Sequence, residues 1–337
     1  MKRETLSSSS RLGFLQRVNR CSPPQHCRSQ RRARIRSLSP TMAISLHDHA
    51  LGKTAQFIAA CRAVESDKPQ ETRKFSEPWA RKFASETGTE LLRLVAEEYS
   101  VSLQAIINII TARTCFLDDV VNRATSRESP KIRQVVIAAV GGDGRPYRMR
   151  FPDDVVVFEM DLPDVMKFRS KIFAEAQAQP TCDLRSIEVD LAKDGWAEAL
   201  VAAGFDPSEP SVWTMEGLLT YLTEEECKKF VSQIATLCTP GSVICGDVYS
   251  PSFFTRESLA GFKKLWADFG AAPACSSIED PKAFFAEFGF QTIVKVYKEL
   301  AVELDVGFSG ILGFPSAHSE QEEKNSSETN YYFEATK

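Results

Sequence analysis

At 337 residues, with 43% hydrophobic and 26% charged content, the chain can bury a full core and has the balance of a soluble globular protein of one or two domains. No run approaches about 18 uninterrupted apolar residues, so no transmembrane helix is indicated. The charge is unevenly spread. Residues 1–46 hold nine arginines and one lysine against one acidic residue, Glu4, which leaves 31 basic and 44 acidic residues in the rest, a net of −13. A body that acidic argues against nucleic acid or an anionic membrane as partner.

Residues 1–46 are rich in arginine and serine and poor in acids, the composition of an organelle transit peptide, and they lack the long apolar run of a secretory signal. The expected address is a chloroplast or mitochondrion. Met42 offers an alternative start that yields a cytoplasmic form. A basic arm for nucleic acid ranks lower, because no aromatic interleaving accompanies the charge. Nine cysteines form no CxxC pair and several sit inside apolar runs, which predicts buried reduced thiols and no disulfide framework. No metal site is expected, and His47 and His49 read as solvated.

Residues 47–125 read as helical and carry no strand pattern. Residues 50–65 show apolar positions at Leu51, Ala55, Ile58, Ala59 and Ala63. Pro78-Trp79 suits a turn into a second helix, and residues 91–111 form one long pattern with a stripe of Leu103, Ile106, Ile107 and Ile110. The simplest arrangement is a helical lid, 47–125, ahead of a sheet domain, 126–337. At the end of the stripe stands Arg113, a planar fork able to clamp a ligand carboxylate or to pair with Asp118.

Beyond residue 126, strand and helix patterns alternate. The apolar run 134–140 stops at Gly141-Gly142-Asp143-Gly144. A second run, 155–160, ends at Asp161 and is followed by a helix over 165–178. A third, 185–191, ends in Asp190-Leu191, with a helix near 196–203. A fourth, 211–216, carries Glu216-Gly217 at its tip. Thr223 and Glu226 have capping-box spacing for a helix to about residue 237. Residues 242–248 form a fifth strand. The alternation continues through 284–288 and 291–297, residues 316–329 read as a polar loop, and 331–335 as a closing strand. This order predicts an α/β fold with a doubly wound, mostly parallel sheet. In such sheets ligands bind at the carboxyl ends of the strands, where Gly141, Asp161, Asp190 and Glu216 all fall.

The motifs extend further. Arg62-Ala63-x-Glu65, Glu77-Pro78-Trp79-Ala80 and Ala112-Arg113-Thr114-x-Phe116-x-Asp118-Asp119 precede the sheet. Asp143-x-Arg145-x-Tyr147-Arg148, Phe158-Glu159-x-Asp161-x-Pro163, Val189-Asp190-Leu191, Gly204-Phe205-Asp206-Pro207 and Glu216-Gly217-Leu218-Leu219-x-Tyr221-Leu222 lie within it. In order and spacing the chain resembles the leucine carboxyl methyltransferase family of S-adenosylmethionine-dependent methyltransferases, especially its bacterial branch. The resemblance implies a Rossmann-like class I methyltransferase fold, S-adenosyl-L-methionine as cofactor and methyl transfer as the reaction. It implies that Arg113 binds the methionine carboxylate and that the Gly141 turn passes beneath the cofactor. Asp161 would accept from the ribose hydroxyls, Asp190 from the adenine amino group with Leu191 against the ring, and Glu216 would lie near the methionine ammonium or the acceptor. It names no catalytic base. The family carries glycine where Ala139 stands and a smaller residue at Val140, so added bulk is expected at a place of close backbone approach. The expected acceptor is a small-molecule carboxylate or hydroxyl. Alternatives are a protein C-terminal leucine carboxylate, a non-catalytic binding protein, and a nicotinamide oxidoreductase, which lacks its GxGxxG turn.

Overall fold

The computed structural model describes residues 50–98, 102–126, 128, 131–255, 260–268, 277–307 and 330–337. The arginine-rich segment, all four histidines, Cys21, Cys27, Cys275 and the polar run 316–329 lie outside them.

Seven strands form one sheet: β1 Gln134–Ala138, β2 Val156–Asp161, β3 Asp183–Glu188, β4 Ser211–Met215, β5 Val243–Tyr249, β6 Gln291–Val296 and β7 Asn330–Thr336. Their order is β3-β2-β1-β4-β5-β7-β6. β1 to β5 pair in parallel, and β7 runs antiparallel between β5 and β6. Every residue of β1, β4 and β5 is buried, which explains their unbroken apolar runs: strands covered on both faces have no solvent side to alternate with. The chain order reverses between β1 and β4, so the crevice above their carboxyl ends is the expected ligand site.

Three long helices precede the sheet: α1 Ala50–Ser66, α2 Ala80–Glu98 and α3 Leu103–Thr125. The pattern expected over 91–111 as one helix is divided between two. α2 ends at Glu98, and Ser102 caps α3 by accepting the Ala105 amide at 3.2 Å. Apolar spacing carries across this break, and a capping serine is the local signal that outweighs it. α3 ends at Thr125, where the helical segment 47–125 was expected to end, and its two halves pack on different layers. Its first half packs with α1 through Ile106, Ile107 and Ile110 against Phe57 and Cys61. Its second half lays Leu117, Val120 and Val121 on Val135, Val212 and Val243 of the sheet. α3 is therefore a sheet-covering helix, and α1 and α2 form the outer layer upon it.

The remaining helices are α4 Arg145–Arg148, α5 Pro163–Glu175, α6 Trp196–Ala202, α7 Glu224–Leu237, α8 Pro251–Thr255, α9 Ala260–Asp268, α10 Pro281–Ala286 and α11 Tyr297–Glu303. α7 starts on the expected capping box, in which Thr223 accepts the Glu226 amide and the Glu226 carboxylate accepts the Thr223 amide at 2.8 Å. The opposite face of the sheet is filled by an aromatic core in which Trp196, Trp213, Phe158, Phe205 and Phe230 meet edge to face or tilted. The described cysteines are free thiols, and burial pushes Cys61 up to about 12.

Candidate functional site

The turn after β1 is held from two sides. Gly141 (φ 45°) donates its amide to Asp161 Oδ2 at 2.8 Å, and the Leu162 amide donates to Oδ1 at 2.7 Å. One carboxylate at the tip of β2 thus pins both the turn and the start of α5. Ala139 has φ 57°, the left-handed region that favours glycine, so the methyl group where the family has glycine burdens the backbone itself. Val140 is 2% exposed and packs in the core beneath α3, and it also borders the cavity described below. Gly142 and Gly144 are needed for close approach. A Cβ on Gly142 would stand 2.8 Å from the Phe83 ring, and one on Gly144 would stand 2.9 Å from the Glu77 carboxylate.

Beside the turn, at the tip of β4, Glu216 is clamped by three guanidiniums. Its Oε1 accepts from Arg62 and, at 3.0 Å, from Arg113 Nε, while its Oε2 accepts from Arg145 at 2.9 Å. Burial alone would raise the Glu216 carboxyl, but Arg62, Arg113 and Arg145 overcome it and hold it well below the ordinary carboxylate range. Arg113 also donates to Asp247 Oδ2 at 3.1 Å, and the other oxygen of Asp247 accepts the Gly217 amide at 2.7 Å. Arg145 reaches Asp143 at 2.5 Å and Asp118 at 2.7 Å. Arg148 donates twice to Asp118, which those two arginines hold low against the opposing effect of burial. Charges this deep persist only when paired, and here the pairing makes one rigid network.

A cavity of about 190 Å³ opens between these groups. Gly141, Asp161, Glu216 and Arg113 are among its lining residues, so four of the six expected site residues come together. Asp190 and Leu191 do not line it. Asp190 lies beyond the end of β3, paired with Lys193 at 2.8 Å, and Leu191 is buried in the aromatic core. Burial pushes the Asp161 carboxyl up to about 6, against the pull of the Gly141 and Leu162 amides and Arg169. Sequence reading missed Asp143, Asp247 and the role of Arg62. Asp247 had a signal: a carboxylate inside the apolar strand run 243–249 must be buried and therefore paired.

The leucine carboxyl methyltransferase model matches residues 55–235, a stretch that runs from within α1 through the glycine turn to Glu216 and α7. The chain belongs to the leucine carboxyl methyltransferase family. Its relatives include two Mycolicibacterium smegmatis proteins, both provisionally named S-adenosyl-L-methionine-dependent methyltransferases. One is 39% identical over 208 residues, covering 59% of this chain and 67% of the relative. The other is 40% identical over 228 residues, covering 65% and 74%. Among solved structures, a Thermobifida fusca protein described as a provisional methyltransferase superposes with a TM-score of 0.53 at 14% identity, covering 89% of this chain and 99% of that one. A Streptomyces avermitilis protein superposes at 0.50 and 13% identity, covering 83% and 96%. The fold is thus that of class I methyltransferases, and this family member is an S-adenosyl-L-methionine-dependent methyltransferase.

The donor set fits that cofactor. S-Adenosylmethionine offers a carboxylate, an ammonium, a sulfonium and a ribose diol. The cavity wall supplies guanidiniums, carboxylates and a glycine turn, and the buried Arg62 Nε on that wall has no hydrogen-bond partner.

Proposed function

We propose that this methyltransferase O-methylates a small-molecule carboxylate or hydroxyl. The observation that carries the reading is the cavity at the carboxyl ends of β1, β2 and β4, walled by Asp161 on one side and the Arg113–Glu216 pair on the other. Bound S-adenosyl-L-methionine supplies a methyl carbon on a sulfonium whose leaving group is a neutral thioether. Asp161, already an acceptor of two amides, keeps lone pairs for a ribose diol. Arg113 is fixed by Glu216 and Asp247, which aims its fork and limits its freedom. It serves the methionine carboxylate as an oriented charge in place of a free clamp. Glu216 is held ionised by three arginines, and the charge that offsets the ammonium comes from it together with Asp143 and Asp161 on the cavity wall. Catalysis then rests mainly on alignment of nucleophile, methyl carbon and sulfur, worth up to about 7–11 kcal/mol in favourable cases.

The test is calorimetric titration of the full chain with S-adenosyl-L-methionine, beside Asp161→Ala. Micromolar binding lost in the variant supports the reading, and a folded parent that binds nothing refutes it. The competing acceptor is a peptide ending in a leucine carboxylate. Transfer to such a peptide, with none to metabolite extracts, would replace the small-molecule reading. The arginine- and serine-rich first 46 residues support an organellar address, which a fluorescent fusion that stays cytoplasmic would exclude.

A further inference from the structure

The chain leaves β4 through Glu216 and Gly217 and enters a single 3-10 turn, Leu219–Tyr221. This segment is fixed from several sides. The Gly217 amide donates to Asp247 at 2.7 Å, and the Tyr221 and Leu222 amides donate to the carbonyls of Leu218 and Leu219 at 3.0 and 3.2 Å. Leu219 and Leu222 are buried in the aromatic core and anchor the turn there. Thr220 stands on this turn and lines the cavity. It is 4% exposed, and its Oγ1 has no hydrogen-bond partner. Among the described residues of the cavity wall, the buried polar side-chain atoms left without a partner are Thr220 Oγ1 and Arg62 Nε.

A hydroxyl in that state destabilises the fold, because its desolvation is not offset by a hydrogen bond. Valine has the same shape without that cost, so threonine is the better residue only where a ligand completes it. The two orphaned atoms differ in kind. Arg62 Nε can only donate, whereas a hydroxyl oxygen can accept. The wall carries Asp143, Asp161 and Glu216 against Arg62 and Arg113, one net negative charge, which favours a cation. Its carboxylates are all engaged already. Asp161 accepts two amides, Asp143 accepts the Arg145 amide and guanidinium, and Glu216 accepts from three guanidiniums. A buried ammonium brings three N–H donors, and each needs an acceptor. The carboxylates supply the charge that such a group needs. Thr220 supplies an acceptor that no other group occupies.

The placement agrees with the chemistry. Thr220 follows Glu216 and Gly217 at the tip of β4, and a Cβ on Gly217 would stand 3.3 Å from the Arg113 guanidinium. This is the methionine end of the site, with the ribose side at Asp161. We propose that Thr220 Oγ1 accepts a hydrogen bond from the α-ammonium of S-adenosyl-L-methionine. The proposal rests on the methyltransferase reading above and adds a binding residue to it. The methyl carbon and the sulfur take no part in the contact. S-Adenosylhomocysteine, the thioether left after transfer, therefore makes it equally.

The experiment is calorimetric titration of the full chain, as parent, Thr220→Val and Thr220→Ser. The ligands are S-adenosyl-L-methionine, S-adenosylhomocysteine and a deaminated S-adenosylhomocysteine in which hydrogen replaces the amino group. Thermal midpoints of the ligand-free proteins are read beside it. The proposal expects Thr220→Val to weaken the first two ligands by on the order of tenfold and to leave the deaminated one unchanged. Thr220→Ser should keep most of the affinity. The ligand-free midpoint of Thr220→Val should equal or exceed that of the parent, because the unpaired hydroxyl is gone. An equal loss for the deaminated ligand overturns the proposal, since the contact would then lie elsewhere on the cofactor. Unchanged affinity for S-adenosyl-L-methionine in Thr220→Val also overturns it. So does a ligand-free midpoint below that of the parent, which would give the hydroxyl a structural role. Each of these results leaves the methyltransferase reading standing, whereas a folded parent that binds none of the ligands overturns both.

Discussion

The Glu77 carboxylate accepts the Gly144 backbone amide at 3.0 Å, and so ties the segment ahead of α2 to the cofactor turn. The same carboxylate meets Arg148 at 3.3 Å and Arg62 at 3.6 Å. It is 2% exposed, so none of these contacts is relaxed by water. Glu77→Ala should leave the buried Gly144 amide without its acceptor and take from Arg62 and Arg148 one of their two carboxylate partners, lowering stability by about 3–5 kcal/mol. Glu77→Gln keeps an acceptor for Gly144 and should lose less, about 1–3 kcal/mol. Urea unfolding of the two variants measures this. Equal losses would show that the charge contributes nothing beyond the hydrogen bond.

Ala139→Gly should stabilise the protein. At φ 57° an alanine carries about 1–2 kcal/mol of steric cost, while glycine adds about 0.4–1 kcal/mol of unfolded-state entropy. The net expectation is a gain of roughly 0.5–1 kcal/mol, seen as a higher thermal midpoint. Because Ala139 lines the cavity, cofactor affinity should rise or hold. A less stable glycine variant would mean that the methyl group makes a contact worth more than the strain.

The features that sequence reading reached are local ones. The Thr223–Glu226 box spans three residues, and both halves formed as expected. The β1, β4 and β5 runs are legible because burial on both faces removes alternation. Asp161 was legible because a carboxylate at a strand tip, 20 residues beyond a glycine, has a known geometry. The Glu216 cluster was not, because Arg62, Arg113 and Arg145 reach it across 154, 103 and 71 residues, and spacing along the chain carries no information about such meetings. Asp190 stands at a strand end like Asp161, yet β3 is the edge strand, so the same local signal leads to a solvated pair with Lys193.

Glu216→Gln should be among the most damaging single changes. It leaves Arg62, Arg113 and Arg145 around a neutral amide and should cost about 3–5 kcal/mol, with loss of cofactor binding. Adding Arg62→Met to it removes one of the uncompensated charges and should restore part of the stability. Denaturant midpoints of the two singles and the double close the cycle. Strict additivity would show that Arg62 and Glu216 are not energetically coupled despite their contact.

Asp161 should give stability and cofactor binding opposite pH dependences. Burial raises its carboxyl from 3.8 to about 6, so the folded state holds the proton more tightly than the unfolded chain does. The stability this group contributes is fully present below 3.8 and is lost as pH rises through about 6. Asp161→Asn removes that titration. Relative to the parent the variant should gain stability between pH 4 and 7, while thermal midpoints at the acidic end stay close. Cofactor binding runs the other way, because only the ionised carboxylate accepts from the turn and the ribose diol together. Parent affinity should fall by about tenfold per pH unit once the pH is well below 6, and the Asn variant should bind weakly with no such step. Calorimetry at several pH values decides it: equal pH slopes in parent and variant would place the titrating group elsewhere and detach Asp161 from the ribose.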